Sequence, residues 1–317
     1  MPSLPVTYSV TCTEALLEKI IPQFNIVNVT GCVFWCQGLN ESYKVTTANK
    51  NYLLRIYRYQ WRTLEEIQFE LDALLHLNEN GADIAYPIAT INGDYIINVE
   101  APEGLRYAIL TSYIEGNVAD LSIPENVILY AEHMADIHQK SAGFKSNKQR
   151  FQLNCKHLIT EPLQRIKPFL RDRPDDWQFL TEYANSLTIQ LQSGFDNSLD
   201  IGFCHGDLHG GNAHLSNNKI VSFDFDCCGI GLRVYDLAIF KWATKHGKKE
   251  ESVWDSFLNA YQKFNRLTES DLALIGALVS IRQIWLIGLH IDIAVAKGWL
   301  NDKYFDHNIG FLRNEQK

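Results

Sequence analysis

The sequence predicts an α+β protein: a small antiparallel sheet with one helix, followed by a larger, mainly helical part. Three observations carry this. Runs rich in β-branched and aromatic residues crowd the chain before residue 111. Apolar residues at helical spacing dominate from about Pro124 onward. One irregular stretch, 202–231, breaks the helical series and is dense in Gly, His and Asp. The change in character near 111–116 divides the chain into an N-terminal part, 1–111, and a C-terminal part, 112–317.

In order, residues 24–29, 33–36, 43–47 and 52–57 read as strands, with Asn49-Lys50-Asn51 as the turn between the last two. A helix over 64–77 follows, with Leu64, Ile67, Leu71, Leu74 and Leu75 at helical spacing and Gly81 as its stop. Two more strands are expected over 94–99 and 107–110. The C-terminal part should hold helices over 126–139, 155–170, 175–191, 234–244, 252–264 and 270–296. The stretch 272–296 is the most apolar, yet Arg282, His290 and Asp292 interrupt it. A membrane span needs about 18 nearly uncharged residues, so a buried helix is expected instead.

Composition narrows the function. Of 317 residues, 46% are hydrophobic and 21% charged, which excludes disorder, collagen and coiled coil as whole-chain answers. The net charge of −8 argues against a nucleic-acid partner. The N-terminus lacks a basic segment followed by a long apolar run, so no signal peptide is expected. Seven cysteines contain no C-x-x-C pair, so zinc-ribbon and thioredoxin chemistry are not signalled. Reduced thiols in a cytoplasmic protein are the expectation.

The irregular stretch carries the chemistry. It offers His205, Asp207, His209, Asn212, Asp224 and Asp226, and two apolar runs flank Asn217-Asn218 as in a β-hairpin. Two loops joined by that hairpin would bring Asp207, Asn212 and Asp224 to one end of it. Carboxylates and an amide oxygen are hard ligands suited to Mg²⁺. Phosphoryl transfer needs one carboxylate for the attacking hydroxyl's proton, and a second carboxylate and an Asn for metal. Protein kinases space base and Asn as H-R-D-x-x-x-x-N. His205-Gly206-Asp207 and Asn212 reproduce that spacing, and Asp224-Phe225 stands where kinases have the start of D-F-G.

With Phe223–Asp226 and Tyr235-Asp236-Leu237-Ala238 added, the chain resembles the aminoglycoside phosphotransferase and choline kinase superfamily. Residues 52–58, 100–110 and the Trp-rich C-terminal helices look most like its bacterial stress response kinase A branch. The resemblance spans about residues 25–315. It implies a bilobal protein-kinase-like fold and an ATP- and Mg²⁺-dependent transfer of the γ-phosphate to a hydroxyl. It implies Asp207 as the catalytic residue, and Asn212 and Asp224 as metal ligands. Arg55 matches the phosphate-binding strand lysine and Glu70 its ion-pair partner. The turn holding Gly38, Asn40 and Ser42 matches the phosphate-covering loop. Ser112, Tyr113 and Ile114 match the hinge that meets adenine. His209 and Asp226 are further candidates, the first for substrate or phosphate, the second for metal or for capping its turn. The turn departs from G-x-G-x-x-G, Arg replaces Lys at 55, and Asp226 replaces the Gly of D-F-G.

The acceptor implied by the resemblance is an aminoglycoside, choline, homoserine or another small alcohol, with a protein Ser or Thr as the alternative. Only eight residues separate Asp226 from Tyr235, too few for a regulated activation loop, which favours the small molecule. Asp292 and Asp302 are the acidic candidates for a cationic acceptor, with solvated surface as the simpler expectation. His205 and Asp236 read as structural, the latter accepting backbone N–H groups. His133 and His138, five apart, do not share a helix face as metal ligands would.

Other readings compete. Gly206-Asp207-Leu208-His209-Gly210 matches the G-D-x-H-G of metallophosphoesterases, but their further downstream segments are missing. Asp224-Phe225-Asp226 matches the D-x-D of haloacid-dehalogenase-like phosphatases, which need alternating strands and helices around it. The non-enzymatic rival is a nucleotide-binding pseudokinase, against which stands the retention of Asp207, Asn212 and Asp224.

Overall fold

The computed structural model of the protein describes residues 4, 6–193 and 199–316. In chain order its strands are β1 (Val29–Gln37), β2 (Glu41–Thr47), β3 (Asn51–Ile56), β4 (Ile97–Ala101), β5 (Gly104–Ser112), β6 (Gln152–Leu153), β7 (Ile201–Cys204), β8 (Ala213–Ser216), β9 (Lys219–Ser222) and β10 (Gly229–Leu232). Its helices are α1 (Thr13–Ala15), α2 (Leu64–Glu79), α3 (Pro124–Lys140), α4 (Glu161–Ile166), α5 (Pro174–Ser193), α6 (Val234–His246), α7 (Glu250–Gln262), α8 (Glu269–Ala296) and α9 (Asp302–Glu315). The α+β class is therefore as expected.

The chain forms two compact units. The first gathers Met1–Val118, Gly143–Arg150 and Ala213–Asp226; the second gathers Ala119–Ala142, Phe151–Asn212 and Cys227–Lys317. In the first, β1-β2-β3-β5-β4 make an antiparallel sheet among the described residues. Alternation along β2 and β3 points Tyr43, Val45, Leu54 and Ile56 to a core shared with Leu16, Ile21 and Phe24 of the N-terminal helical turns. Tyr57 and Ile109 pack instead with Ile67 and Leu71 of α2. Thr63 and Glu66 form a reciprocal cap at the start of α2, which satisfies two of its free N–H groups. The β8–β9 hairpin joins this unit through main-chain bonds, Leu215 N–H to Asn117 O at 2.8 Å and Ala85 N–H to Ser222 O at 2.8 Å. Asn217 and Asn218 both have positive φ, 49° and 60°, as a two-residue hairpin turn demands.

In the second unit α8 is the central helix, packed against α4, α5, α6 and α9. By length and composition α8 could cross a membrane, but 78% of its most apolar window is buried inside the protein. A Cβ at Gly288 would lie 2.5 Å from Pro162 Cα, so glycine there sets how closely α8 and α4 approach. Strand β10 pairs with both β6 and β7, with Gly229 opposite Cys204. The chain between those two residues thus leaves and returns at one paired point.

One expectation is modified and another fails locally. The run expected as a helix over 155–170 is helical without a gap, but its hydrogen bonding changes from a π-helical turn (Lys156–Thr160) through α4 to a 3-10 turn (Lys167–Phe169). Pro162 and Pro168 remove N–H groups that a regular α-helix would use. Of the strand expected over 24–29, Phe24 makes only an isolated bridge to Thr90, and pairing in β1 starts at Val29.

Candidate active site

Asp207 and Asn212 belong to the second unit, on the loop that follows β7. The loop is fixed from behind. Asp236, fully buried near the start of α6, accepts the His205 and Gly206 N–H groups with its two oxygens, each at 2.8 Å. His138 lies 3.0 Å from the same carboxylate through Nε2, and 2.7 Å from the Tyr261 hydroxyl through Nδ1. Since a carboxylate only accepts, Nε2 carries the proton. Burial works against the Asp236 charge, but His138, His205 and the Gly206 N–H together hold its carboxyl below the usual range. Asp236 thus accepts backbone N–H bonds, as expected, but from the loop rather than from its own helix.

The Asp207 carboxylate is engaged at both oxygens. Asn212 Nδ2 donates to Oδ2 at 3.0 Å and to the Asp207 carbonyl at 2.9 Å. Arg282 Nη2 of α8 donates to Oδ1. His209 Nε2 stands 3.7 Å from Oδ1, while His209 Nδ1 accepts the Gly211 N–H at 3.0 Å. His205, buried, accepts the Asp207 N–H at Nδ1, 3.3 Å away. The Asn212 nitrogen is thereby committed to Asp207, and its hard donor is the amide oxygen.

The other candidates lie in the first unit. Arg55 Nη1 donates to Glu70 of α2 at 2.8 Å, and Nη2 to Asp224 Oδ1 at 2.8 Å. Burial opposes charge on Arg55, but Asp224 and Glu70 outweigh it and keep the group well above its ordinary pKa. The Tyr57 hydroxyl donates to the second Glu70 oxygen at 2.8 Å. Asp224 has φ of 65°, an uncommon backbone state that Asp tolerates better than most residues, and its side chain is about half exposed. Cross-strand pairing sets Ser42 between Cys36 and Arg55. Gly38 begins the β1–β2 turn, its N–H donating to Asn40 O at 3.1 Å.

Asp226 is the hub of this unit. Its carboxylate accepts Asn40 Nδ2 at 2.9 Å, Trp61 Nε1 at 2.7 Å and Arg62 Nε at 2.8 Å. Its carbonyl accepts Arg62 Nη2 at 2.9 Å and Arg150 Nη2 at 2.5 Å. Burial is outweighed by Arg62, Arg55 and Arg150, so the carboxyl is held far below its usual range. Of the two roles considered for Asp226, this geometry fits the turn-fixing one. Asn40 likewise ties the β1–β2 turn to Asp226, and its amide oxygen accepts the Arg58 N–H at 3.1 Å. The residues expected as a hinge are partly engaged too. Ser112 N–H donates to Tyr86 O at 2.9 Å, Tyr113 N–H to Asn51 O at 3.2 Å, and Ile114 O accepts His214 Nδ1–H at 3.0 Å.

Asn212 and Asp224 supply an amide oxygen and a carboxylate, the donor chemistry Mg²⁺ prefers. Among the described residues there is no group of three or more His, Cys, Asp or Glu that could hold a metal ion. The acidic acceptor candidates are surface groups: Asp292 is exposed, and Asp302 pairs with Arg173 at 3.0 Å.

Residue-level reading missed Arg62, Trp61 and Arg150 around Asp226, and Arg282 on Asp207. The available signal for Arg282 was a lone cation inside a long apolar stretch.

The Phosphotransferase enzyme family matches residues 37–270. The uncharacterized protein sll1119 of Synechocystis sp. is 33% identical, over 98% of this chain and 87% of its own length. A homoserine kinase of Methylobacillus glycogenes is 27% identical, over 79% of this chain and 76% of its own. The structure of the amicoumacin kinase hAmiN in complex with AMP-PNP, Ca²⁺ and Ami superposes with a TM-score of 0.78 at 19% identity, covering 95% of this chain and 92% of that one. The last likeness speaks for the fold. The chain belongs to the phosphotransferase enzyme family.

Proposed function

We propose that the protein transfers the γ-phosphoryl group of ATP to the hydroxyl of a small acceptor of the amino-alcohol type. The observation that carries this reading is the Asp207 carboxylate, fixed on a clamped loop and tied to Asn212 five residues on. In the reaction, a bond forms from the acceptor oxygen to the γ-phosphorus as the bond to the β,γ-bridging oxygen breaks. ADP leaves, and the hydroxyl proton passes to Asp207 and then to solvent. Asp207 orients the hydroxyl and takes its proton. Arg55, held charged, meets the α- and β-phosphates, and Glu70 aims it. The backbone of the Gly38–Ser42 turn covers phosphate oxygens. Asn212 and Asp224 would hold Mg²⁺, which would neutralise phosphate charge. Positioning and charge neutralisation supply most of the acceleration. The names of the homoserine kinase relative and of the amicoumacin kinase support a small-molecule acceptor. Seven free thiols suit a cytoplasmic setting.

The test is phosphate tracing. The protein is incubated with γ-labelled ATP, Mg²⁺ and an extract of the source cells, then passed through a small-molecule filter. Label in the filtrate that requires Asp207, as a phosphorylated metabolite rather than free phosphate, is the expected result. Label retained on protein would overturn the small-molecule acceptor in favour of a protein Ser or Thr.

A further inference from the structure

We propose that Arg282 is a positioning residue for phosphoryl transfer, fixing the Asp207 carboxylate from the core of the second unit. The inference rests on the proposed role of Asp207. Arg282 lies midway along α8, flanked mainly by buried apolar residues, and is only 2% exposed. Burying a guanidinium costs several kcal/mol unless its charge and hydrogens are matched. Here the catalytic loop matches the charge and the two terminal nitrogens, while Nε has no hydrogen-bond partner among the described residues. Nη2 donates to Asp207 Oδ1, and Nη1 donates to the Gly206 carbonyl at 3.3 Å. Both ends of one short loop segment are therefore gripped by one planar fork, which a point-charge ammonium cannot copy. The indole of Trp285 lies 4.6 Å from the guanidinium carbon and that of Trp242 5.5 Å. Both rings lie within cation–π range of the guanidinium.

The consequence for the reaction follows from the second oxygen. With Oδ1 on Arg282 and Oδ2 on Asn212, the carboxylate has one orientation, and its remaining lone pairs point in fixed directions. Transfer through a loose, metaphosphate-like transition state asks little basicity of Asp207 and much of its position. Holding the carboxylate in place binds neither the acceptor nor the nucleotide. Loss of Arg282 should therefore appear in kcat rather than in KM.

The experiment compares Arg282→Gln, Arg282→Lys and Arg282→Ala with wild type, using Mg²⁺-ATP and water as the acceptor, so that ADP release is the readout. Arg282→Gln should lower kcat about 100-fold, the scale of a roughly 1 Å misplacement, with KM for ATP within about threefold. Arg282→Lys should recover part of that loss. Added guanidinium, but not an equal concentration of NaCl, should restore kcat in Arg282→Ala by occupying the vacated position beside the two indoles. Unfolding midpoints of the variants separate this from collapse, since a merely structural arginine gives variants whose activity follows stability and ignores guanidinium. Wild-type kcat in Arg282→Gln, or loss that guanidinium and Lys both fail to relieve, would overturn the inference while leaving the role of Asp207 intact. Turnover that survives Asp207→Asn would instead overturn the proposed function itself.

Discussion

Gly206 has φ of +77°, and a Cβ built there would stand 2.1 Å from the Cys227 carbonyl oxygen. The backbone must yield if any side chain is added, and Asp207 is the next residue. Gly206→Ala is expected to reduce ADP release by about 100-fold or more, because small misplacements of a catalytic group cost that much. Unchanged turnover would show that the loop does not need its clamp. Asp226 makes a different kind of demand, on stability. Asp226→Ala removes the carboxylate that accepts from Arg62, Trp61 and Asn40, which should cost about 3–5 kcal/mol in denaturant unfolding of the first unit. At this scale the sequence was legible where residues share a short motif. The offset from His205 to Asn212 was visible, and the structure ties Asp207 to Asn212 directly. Partners far apart in sequence were not visible. Arg282 meets Asp207 across 75 positions, and Arg62 meets Asp226 across 164. No local pattern encodes such pairs.

Among elements, the β8–β9 hairpin shows why some segments could be read and others not. Two apolar runs around Asn217-Asn218 announce a turn whose residues need positive φ, and both Asn residues have it. The left-handed state costs an ordinary residue about 1–2 kcal/mol. Replacing both with Ala should therefore lower stability by about 2–4 kcal/mol by that figure, measured by denaturant titration. Because Asp224 lies two residues past the end of β9, the same variant should weaken ATP binding under the proposed role of Asp224. Stability and nucleotide affinity both at wild-type levels would contradict the role given to the turn. By contrast, β7 and β10 were not foreseen. Each spans four residues, and Gly202, Gly229 and Gly231 carry no strand signal. Their pairing comes from tertiary context, while the 155–170 run changes its hydrogen bonding around its prolines.

Across the whole molecule, buried carboxylates set the response to acid. Asp226 and Asp236 both titrate below their ordinary values in the folded protein, despite burial, because cations and N–H donors hold the charged form. The unfolded chain therefore binds more protons below about pH 4. The stability these groups contribute is complete above about pH 4 and is lost as pH falls toward their folded values. Unfolding midpoints should hold between neutrality and about pH 5, then drop steeply, and Asp226→Asn should make the drop shallower. A midpoint insensitive to acid would refute this account. The division into a sheet-rich and a helical part was evident from composition alone. The return of Ala213–Asp226 to the first unit was not, since it depends on hairpin bonds to Asn117 and Ala85 rather than on composition.

The most direct measurement is ADP release from Mg²⁺-ATP by wild type and Asp207→Asn, with nucleotide affinity determined in parallel. The isosteric amide cannot take a proton, and its NH2 can accept from neither Arg282 nor Asn212. The account predicts turnover reduced by several orders of magnitude with ATP binding retained. Near-wild-type turnover in Asp207→Asn would contradict it.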